Sequence, residues 1–317
     1  MTTLVTGATG FLGRHLVDLL VAERQIVRAL VRPGTDASRL HAAGVEVVAG
    51  DVTRESDLRR VLAGCTRVYH LAGVVSHRRR ELGRLRSVNV DGTRTLLSAV
   101  EPGTRVVHVS SVAALGPVAA PALRADEDSR LPAAAVGFPY AATKREGERL
   151  ALEAAASGVD VVVANPGFLL GPGDVHRVST WPVAAYISGR IRFTTRGGLS
   201  FVDARDVAHG LVALAEEGRS GERTVLTREE GNLGWDEFFA LVAGVSGVRR
   251  RTVNLPPWAA VTAARLAPWF VSPDDVRAAA HWWFSSPAKA VRELGFRTRP
   301  LAETIADTIL DHERPSF

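Results

Sequence analysis

Tyr140 and Lys144, in the run Tyr-Ala-Ala-Thr-Lys, pair two residue types that this chain uses sparingly. Of its 39 Lys and Arg residues only positions 144 and 289 are lysine, and there are only three tyrosines in 317 residues. Wherever a positive charge alone would serve, the sequence writes arginine, so a lysine four residues after a scarce tyrosine points to chemistry that arginine cannot do. Pro139 opens a helical pattern here, and residues i and i+4 share one face of a helix. A free phenol titrates at about 10, too high for proton exchange near neutrality. An ammonium about 5 Å away, at an effective dielectric of about 20, favours the phenolate by roughly 3 kcal/mol, or about two pKa units. The pair is therefore expected to exchange protons near pH 7, with lysine's compact head able to hold hydroxyl groups and pass protons on. Ser111, in Val-Val-His-Val-Ser-Ser, offers a hydroxyl that could hold a carbonyl oxygen while Tyr140 protonates it, although Ser110 and Ser111 also suit a plain strand end. Asn89, in Ser-Val-Asn-Val-Asp-Gly-Thr, supplies an amide that could anchor a water, or could simply kink its helix.

A second chemical signal lies at the start of the chain. Val-Thr-Gly-Ala-Thr-Gly-Phe-Leu-Gly places glycines at 7, 10 and 13 between a β-branched run and a helical pattern, more widely spaced than the general dinucleotide fingerprint. Glycine suits a tight turn whose backbone approaches a pyrophosphate, and the following helix N-terminus presents free N–H groups to it. After the next β-branched run, the carboxylate that would accept a ribose 2′-hydroxyl is missing: positions 31 and 32 are Val31 and Arg32, with no acid before Asp36. A guanidinium there can bind a 2′-phosphate that a carboxylate would repel. This favours NADP(H) over NAD(H), unless Arg32 only stacks on adenine.

These residues need a scaffold. Short apolar runs at 3–6, 26–31, 45–49, 68–71, 106–109 and 159–164 alternate with amphipathic stretches such as 12–22 and 55–62. That rhythm predicts an α/β fold with a Rossmann-type, doubly wound parallel sheet covered by helices on both faces. Past Asn165 prolines punctuate mostly helical stretches, and five of the six tryptophans fall between 235 and 283. The expected organisation is an NADP-binding domain over 1–169, with returning segments near 200–228, and a smaller, mainly helical substrate lobe over 170–317. In a helix Trp282 and Trp283 could not both face one side, so one is expected in the core and the other at an interface. The Ala-rich stretches at 119–135 and 276–280 read as loop-like and helical respectively.

Composition narrows the function classes. A formal charge of +5 comes from arginines scattered among acids rather than gathered in a stripe, which argues against a nucleic-acid partner. The single cysteine, Cys65, excludes a disulfide framework and a cysteine metal cluster, and it reads as a small buried apolar residue. The longest apolar stretch, 258–271, contains Arg265 and Pro268 and is too short to span a bilayer. No signal peptide fits before the first strand pattern, so a cytoplasmic protein is expected, with no membrane partner.

Taken together, the segments 6–13 (TGATGFLG), 50–52 (GDV), 70–73 (HLAG), 89–93 (NVDGT), 110–116 (SSVAALG), 140–144 (YAATK), 165–174 (NPGFLLGPGD), 201–208 (FVDARDVA) and 290–296 (AVRELGF) closely resemble the extended short-chain dehydrogenase/reductases over essentially the whole chain. The resemblance implies a catalytic triad of Ser111, Tyr140 and Lys144, with Asn89 completing a proton relay. It implies that Gly7, Gly10, Phe11 and Leu12 line the pyrophosphate, and that Asp51 and Val52 meet the adenine. Leu71, Ala72 and Gly73 would lie on the adenosine side, and Pro166, Gly167 and Phe168 at the nicotinamide. Dehydratases of this group carry Thr-Asp-Glu where this chain has Val112-Ala113-Ala114, which speaks against dehydration. The pattern leans to the dihydroflavonol reductase and 3β-hydroxysteroid dehydrogenase side, hence to a ketoreductase or alcohol dehydrogenase. A sugar-nucleotide epimerase and a redox-silent NADP sensor are the alternatives. Ser76 and His77, in the segment after HLAG, and Trp181 and Tyr186, beyond GPGD, are candidate substrate contacts; each also suits a loop or core role. The Arg78, Arg79 and Arg80 run reads better as a solvated face. No metal site is expected. Dimerisation through helices near 83–100 and 140–157 is what the resemblance implies.

Overall fold

The computed structural model describes residues 2–130, 137–266 and 271–313. The first half alternates strand and helix: β1 (Thr2–Thr6), α1 (Phe11–Ala22), β2 (Ile26–Val31), α2 (Ser38–Ala42), β3 (Glu46–Ala49), α3 (Glu55–Leu62), β4 (Cys65–His70), α4 (Leu82–Arg86), α5 (Gly92–Ala99), β5 (Arg105–Val109), α6 (Pro139–Ala156) and β6 (Val161–Pro166). A π-helical turn, Ser87–Asp91, joins α4 to α5. The second half holds β7 (Phe168–Leu170), α7 (Trp181–Ile187), β8 (Phe193–Thr195), β9 (Gly198–Asp203), α8 (Ala204–Glu217), β10 (Arg223–Leu226), β11 (Asn232–Gly234), α9 (Trp235–Ser246), β12 (Val253–Leu255), α10 (Pro257–Leu266), α11 (Pro273–Ala279), β13 (Trp282–Trp283), α12 (Ala288–Leu294) and α13 (Leu301–Glu313).

Seven of the strands form one parallel sheet in the order β10-β6-β5-β4-β1-β2-β3. Central strands buried on both faces have little polar side to show, which is why β1, β5 and β6 are largely apolar. Alternate residues go to opposite layers: Val5, Val107 and Val162 enter the core beneath α1 and α8, while Leu4, Val106, Val161 and Val163 enter the one shared with Leu58, Leu96 and Ala151. Cys65 is buried in the second core. The order reverses between β1 and β4, and a ligand crevice opens above the carboxyl ends of strands at such a switch. Thr6 and His70 end those two strands side by side.

Beyond β6 the chain builds a smaller lobe and returns once to add β10 to the sheet edge. This lobe is not helical alone: β11, β9 and β13 pair in that order, β7 also pairs β9, and β8 pairs β12. Its core stacks Tyr186 on Phe239 and Phe201 on Phe238. Trp282 and Trp283 correct the helical expectation, because they form β13, paired to Gly198 and Leu199. Strand alternation rather than helical spacing sends them to opposite sides, with Trp283 buried and Trp282 half-buried. Of the expected features, Pro268 and residues 131–135 of the Ala-rich stretch lie outside the described residues. Among the described residues no helix is long and apolar enough to cross a membrane, and no group of His, Cys, Asp and Glu has the arrangement of a metal site.

Candidate active site

The crevice floor is the turn between β1 and α1. Gly7 sits in the left-handed region, and a methyl group there would lie 2.8 Å from Ala72 N, so the turn presses against the segment after β4. At Gly13 the same addition would fall 2.1 Å from Gly7 O, which is how α1 packs close behind the loop. Gly10 caps α1 without a side chain, leaving first-turn N–H groups of Phe11, Leu12 and their neighbours directed at the crevice without a protein acceptor from a cap. These features fit the phosphates of a dinucleotide. Ala72 N donates to Thr6 Oγ1 at 3.2 Å, and Leu71 N to Thr6 O at 3.2 Å, so Leu71, Ala72 and Gly73 form the opposite lip. Arg32 follows β2 directly and is exposed. Asp51 is occupied locally: its Oδ1 accepts from Thr53 N and Thr53 Oγ1, and the backbone hydrogen bond from Thr53 holds its carboxyl below the ordinary value. Val52 is buried against Gly92.

Above this floor stand the residues of α6 and of the turn after β5. Pro139 occupies the first turn of α6, where its missing N–H costs nothing, and the helix then carries Tyr140 and Lys144 one turn apart. Lys144 is buried, and its Nζ donates to Val109 O at 2.7 Å. A methyl group on Gly73 would be 3.8 Å from that Nζ, so the ammonium sits at the cofactor lip. Burial pulls Lys144 down to about 8, opposed by the nearby Glu148 carboxylate. Ser111 caps the short turn Val112–Ala114, accepting from Ala113 N at 3.2 Å, and it stands near enough to the Tyr140 phenol to favour the loss of its proton. Ser110, next to it, has a buried hydroxyl with no partner among the described residues.

The electrostatics of Tyr140 correct the expectation from sequence. Burial pushes the half-buried phenol above its ordinary value and the Ser111 hydrogen bond eases it only in part. The Lys144 charge does not bring it to neutrality, because the ammonium is turned onto the Val109 carbonyl and is itself destabilised by burial. Tyr140 therefore keeps its proton at neutral pH.

Asn89 is engaged by neighbouring segments of the protein. Its Nδ2 donates to Val74 O at 3.0 Å and Thr143 Oγ1 at 3.2 Å, and its Oδ1 accepts from Val74 N at 2.8 Å. The amide is thus a pin between α6 and the segment after β4, and both of its donor hydrogens are used. It lies within the π-helical turn, and such turns interrupt the α-helical ladder where packing demands it. A chain of hydrogen bonds runs from Thr6 through His70 to Thr93 and on to Asn89 O, tying the glycine turn to this pin. Burial drives His70 down to about 3, so it stays neutral.

The candidate substrate residues separate. The His77 ring stands edge-on to Tyr140, centroids 6.1 Å apart. Ser76 Oγ accepts from Arg78 N and shapes its own turn. Trp181 is 39% exposed at the start of α7. Tyr186 is not a pocket wall: it is buried in the smaller lobe, with its hydroxyl donating to Arg250 O and accepting from Arg250 N. Pro166 ends β6, a methyl on Gly167 would meet Ser200 O at 2.4 Å, and Phe168 packs edge-on to Phe201. Residues assigned no role in the site from the sequence stand around it. Phe138 meets His281 and Trp283 in an aromatic cluster just before α6, and Asp275 faces His77 from α11. His281, Trp283 and Asp275 stand more than 130 positions from Tyr140 and left no local signal, whereas Phe138 lies two residues before it.

Comparison with known proteins gives the family. The profile of the NAD dependent epimerase/dehydratase family matches residues 3–226. The chain is 31% identical to a putative dihydroflavonol 4-reductase of Synechocystis, covering 96% of this chain and 92% of that protein. It is 34% identical to a 4-hydroxy-2-methyl-3-oxo-4-farnesyl-3,4-dihydroquinoline-1-oxide ketoreductase of Stigmatella aurantiaca, over 84% of this chain and 79% of the other. The crystal structure of gox2253 superposes with a TM-score of 0.85 at 28% identity, covering 99% of both chains. A nucleoside-diphosphate-sugar epimerase from Pseudomonas aeruginosa shares the fold, with a TM-score of 0.80 at 24% identity over 98% of this chain and 97% of that one. The chain belongs to the NAD dependent epimerase/dehydratase family, among the extended short-chain dehydrogenase/reductases, and is an oxidoreductase of that group.

Proposed function

We propose that the protein is an NADP(H)-dependent ketoreductase, or alcohol dehydrogenase in reverse, acting on a carbonyl of a small, apolar or polycyclic molecule. The observation that carries this reading is the meeting of Ser111, Tyr140 and Lys144 at the crevice beside the glycine turn. A bound nicotinamide would supply the hydride. Ser111 would orient the carbonyl oxygen, and Tyr140, whose burial keeps it protonated, would donate the proton as charge develops there. Lys144, near 8, would hold the cofactor side and restore the proton. Arg32 supports the NADP(H) preference, since no carboxylate stands at the end of β2 to repel a 2′-phosphate. The names of similar proteins, a ketoreductase and a dihydroflavonol reductase among them, support the carbonyl chemistry. Asn89 would act through position, by pinning Thr143 and Val74. A homodimer would use the faces of α4, α5 and α6.

A sugar-nucleotide epimerase is the second reading, favoured by the family profile itself. Recording absorbance at 340 nm with NADPH and with NADH, against aryl ketones, steroid ketones and nucleotide sugars, separates the two. Net consumption of NADPH with a ketone supports the reductase. Sugar interconversion without net consumption replaces it with the epimerase, and cofactor binding with neither leaves a sensor.

A further inference from the structure

We propose that Glu148 is a positioning residue of the site, its buried carboxylate facing the Lys144 ammonium on one side and, through Asn165, fixing the Ser111 backbone on the other. The proposal rests on Tyr140 and Lys144 being the working pair. Tyr140, Lys144 and Glu148 follow one another at intervals of four along α6, so all three lie on one face. Glu148 is 1% exposed. Its Oε2 accepts from Asn165 Nδ2 at 2.6 Å, and the same nitrogen donates to Ser111 O at 3.1 Å. A carboxylate accepts only, so it dictates which end of the Asn165 amide faces Ser111, even though Asn165 Oδ1 is left buried without a partner. Glu148 Oε1 accepts from Arg223 at 2.9 Å, and Arg145 lies 3.8 Å away. Arg223 in turn donates to the Glu127 and Ser129 carbonyls.

Stability alone does not account for such an arrangement, because a buried ion pair is commonly no more stabilising than apolar residues of the same volume. Function does. The titratable groups facing Lys144 are His70 from β4, His108 from β5, and Tyr140 and Glu148 from α6. Burial keeps both histidines neutral and Tyr140 protonated, so Glu148 is the anion of this set. It opposes the desolvation that pulls the lysine down.

Lysine occurs only at 144 and 289, so lysine-selective 13C labelling gives two NMR signals, which Lys289→Arg assigns. Lys144 in the unaltered protein is expected to titrate at about 8. Glu148→Gln is expected to lower that midpoint by about one pH unit, since the carboxylate's field is lost while the Arg223 charge remains. The double variant Glu148→Gln/Arg223→Gln, which does not strand the Arg223 charge, moves it the same way by less if the single variant folds poorly. In turnover the alkaline limb moves down with it, a loss of about fivefold at pH 8 and little below pH 6. An unmoved Lys144 midpoint, or a turnover loss equal at every pH, would overturn the proposal. The NMR titration needs no substrate, so it stands or falls apart from the ketoreductase reading.

Discussion

Gly147 is where α6 comes closest to the π-helical turn, and Gly147→Ala tests that contact. A methyl group there would lie 2.5 Å from Asn89 O and 3.6 Å from Thr93 Oγ1. A carbon and a carbonyl oxygen in close contact sit at roughly 3.3 Å, so the helix or the turn must give by about 0.8 Å. Neither side yields readily, since Asn89 is held by Val74, Thr143 and Thr93. Alanine improves intrinsic helix stability by about 1 kcal/mol over glycine, while forcing an extra carbon into a packed interface costs about 1–3 kcal/mol. The clash should win, lowering stability by up to about 2 kcal/mol in urea titration. The same displacement moves Tyr140 and Lys144, and a misplacement near 1 Å can cost about 100-fold in rate. Gly244→Ala is the control: nothing lies within 4 Å of that position in α9, so it should stabilise by about 0.5–1 kcal/mol with turnover unchanged. If Gly147→Ala matches Gly244→Ala in stability and keeps wild-type turnover, the reasoning about the close approach is refuted.

Other perturbations read other parts of the site. Arg32→Glu should weaken NADPH binding by about 10- to 100-fold, the loss of a charge-assisted hydrogen bond, and leave NADH affinity nearly as it was; fluorescence titration with both cofactors measures this. His70, folded at about 3 against 6.5 unfolded, and His108, also held well below 6.5, are buried neutral. A depressed histidine pKa means that the unfolded chain takes up protons first, so stability is full above about 6.5 and falls as pH drops toward 3. At pH 5 His70 alone should cost on the order of 2 kcal/mol relative to pH 7. Urea midpoints at the two pH values check it, and His70→Gln should reduce the difference.

Much of the fold was legible because its signals are local. β-Branched runs that are apolar on both faces can only be central parallel strands, and the spacing of Gly7, Gly10 and Gly13 answers to one turn and one helix start. What was hidden depends on residues far apart in the chain. Trp282 and Trp283 become a strand because Gly198, 84 positions earlier, offers them an open edge. The π-helical turn at Asn89 arises from contacts with Val74, Thr143 and Gly147 on other elements. Tyr186 looked like a wall for a flat ligand, yet its ring faces Phe239 and its hydroxyl caps Arg250. The pull of Lys144 on Tyr140 was argued from helical spacing, which gives a separation but says nothing of burial, and burial dominates. Glu148 carried a sequence signal after all, one more step of four along the same helix face; only its partners Asn165 and Arg223, on β6 and β10, could not be read from it.

Tyr140→Phe tests the central claim most directly, because it removes one hydroxyl from the phenol and leaves the ring against His77. The account predicts that NADPH affinity stays within about twofold while ketone turnover falls by about 100-fold or more, the range of a lost general acid. Undiminished turnover in that variant would contradict Tyr140 as the proton donor.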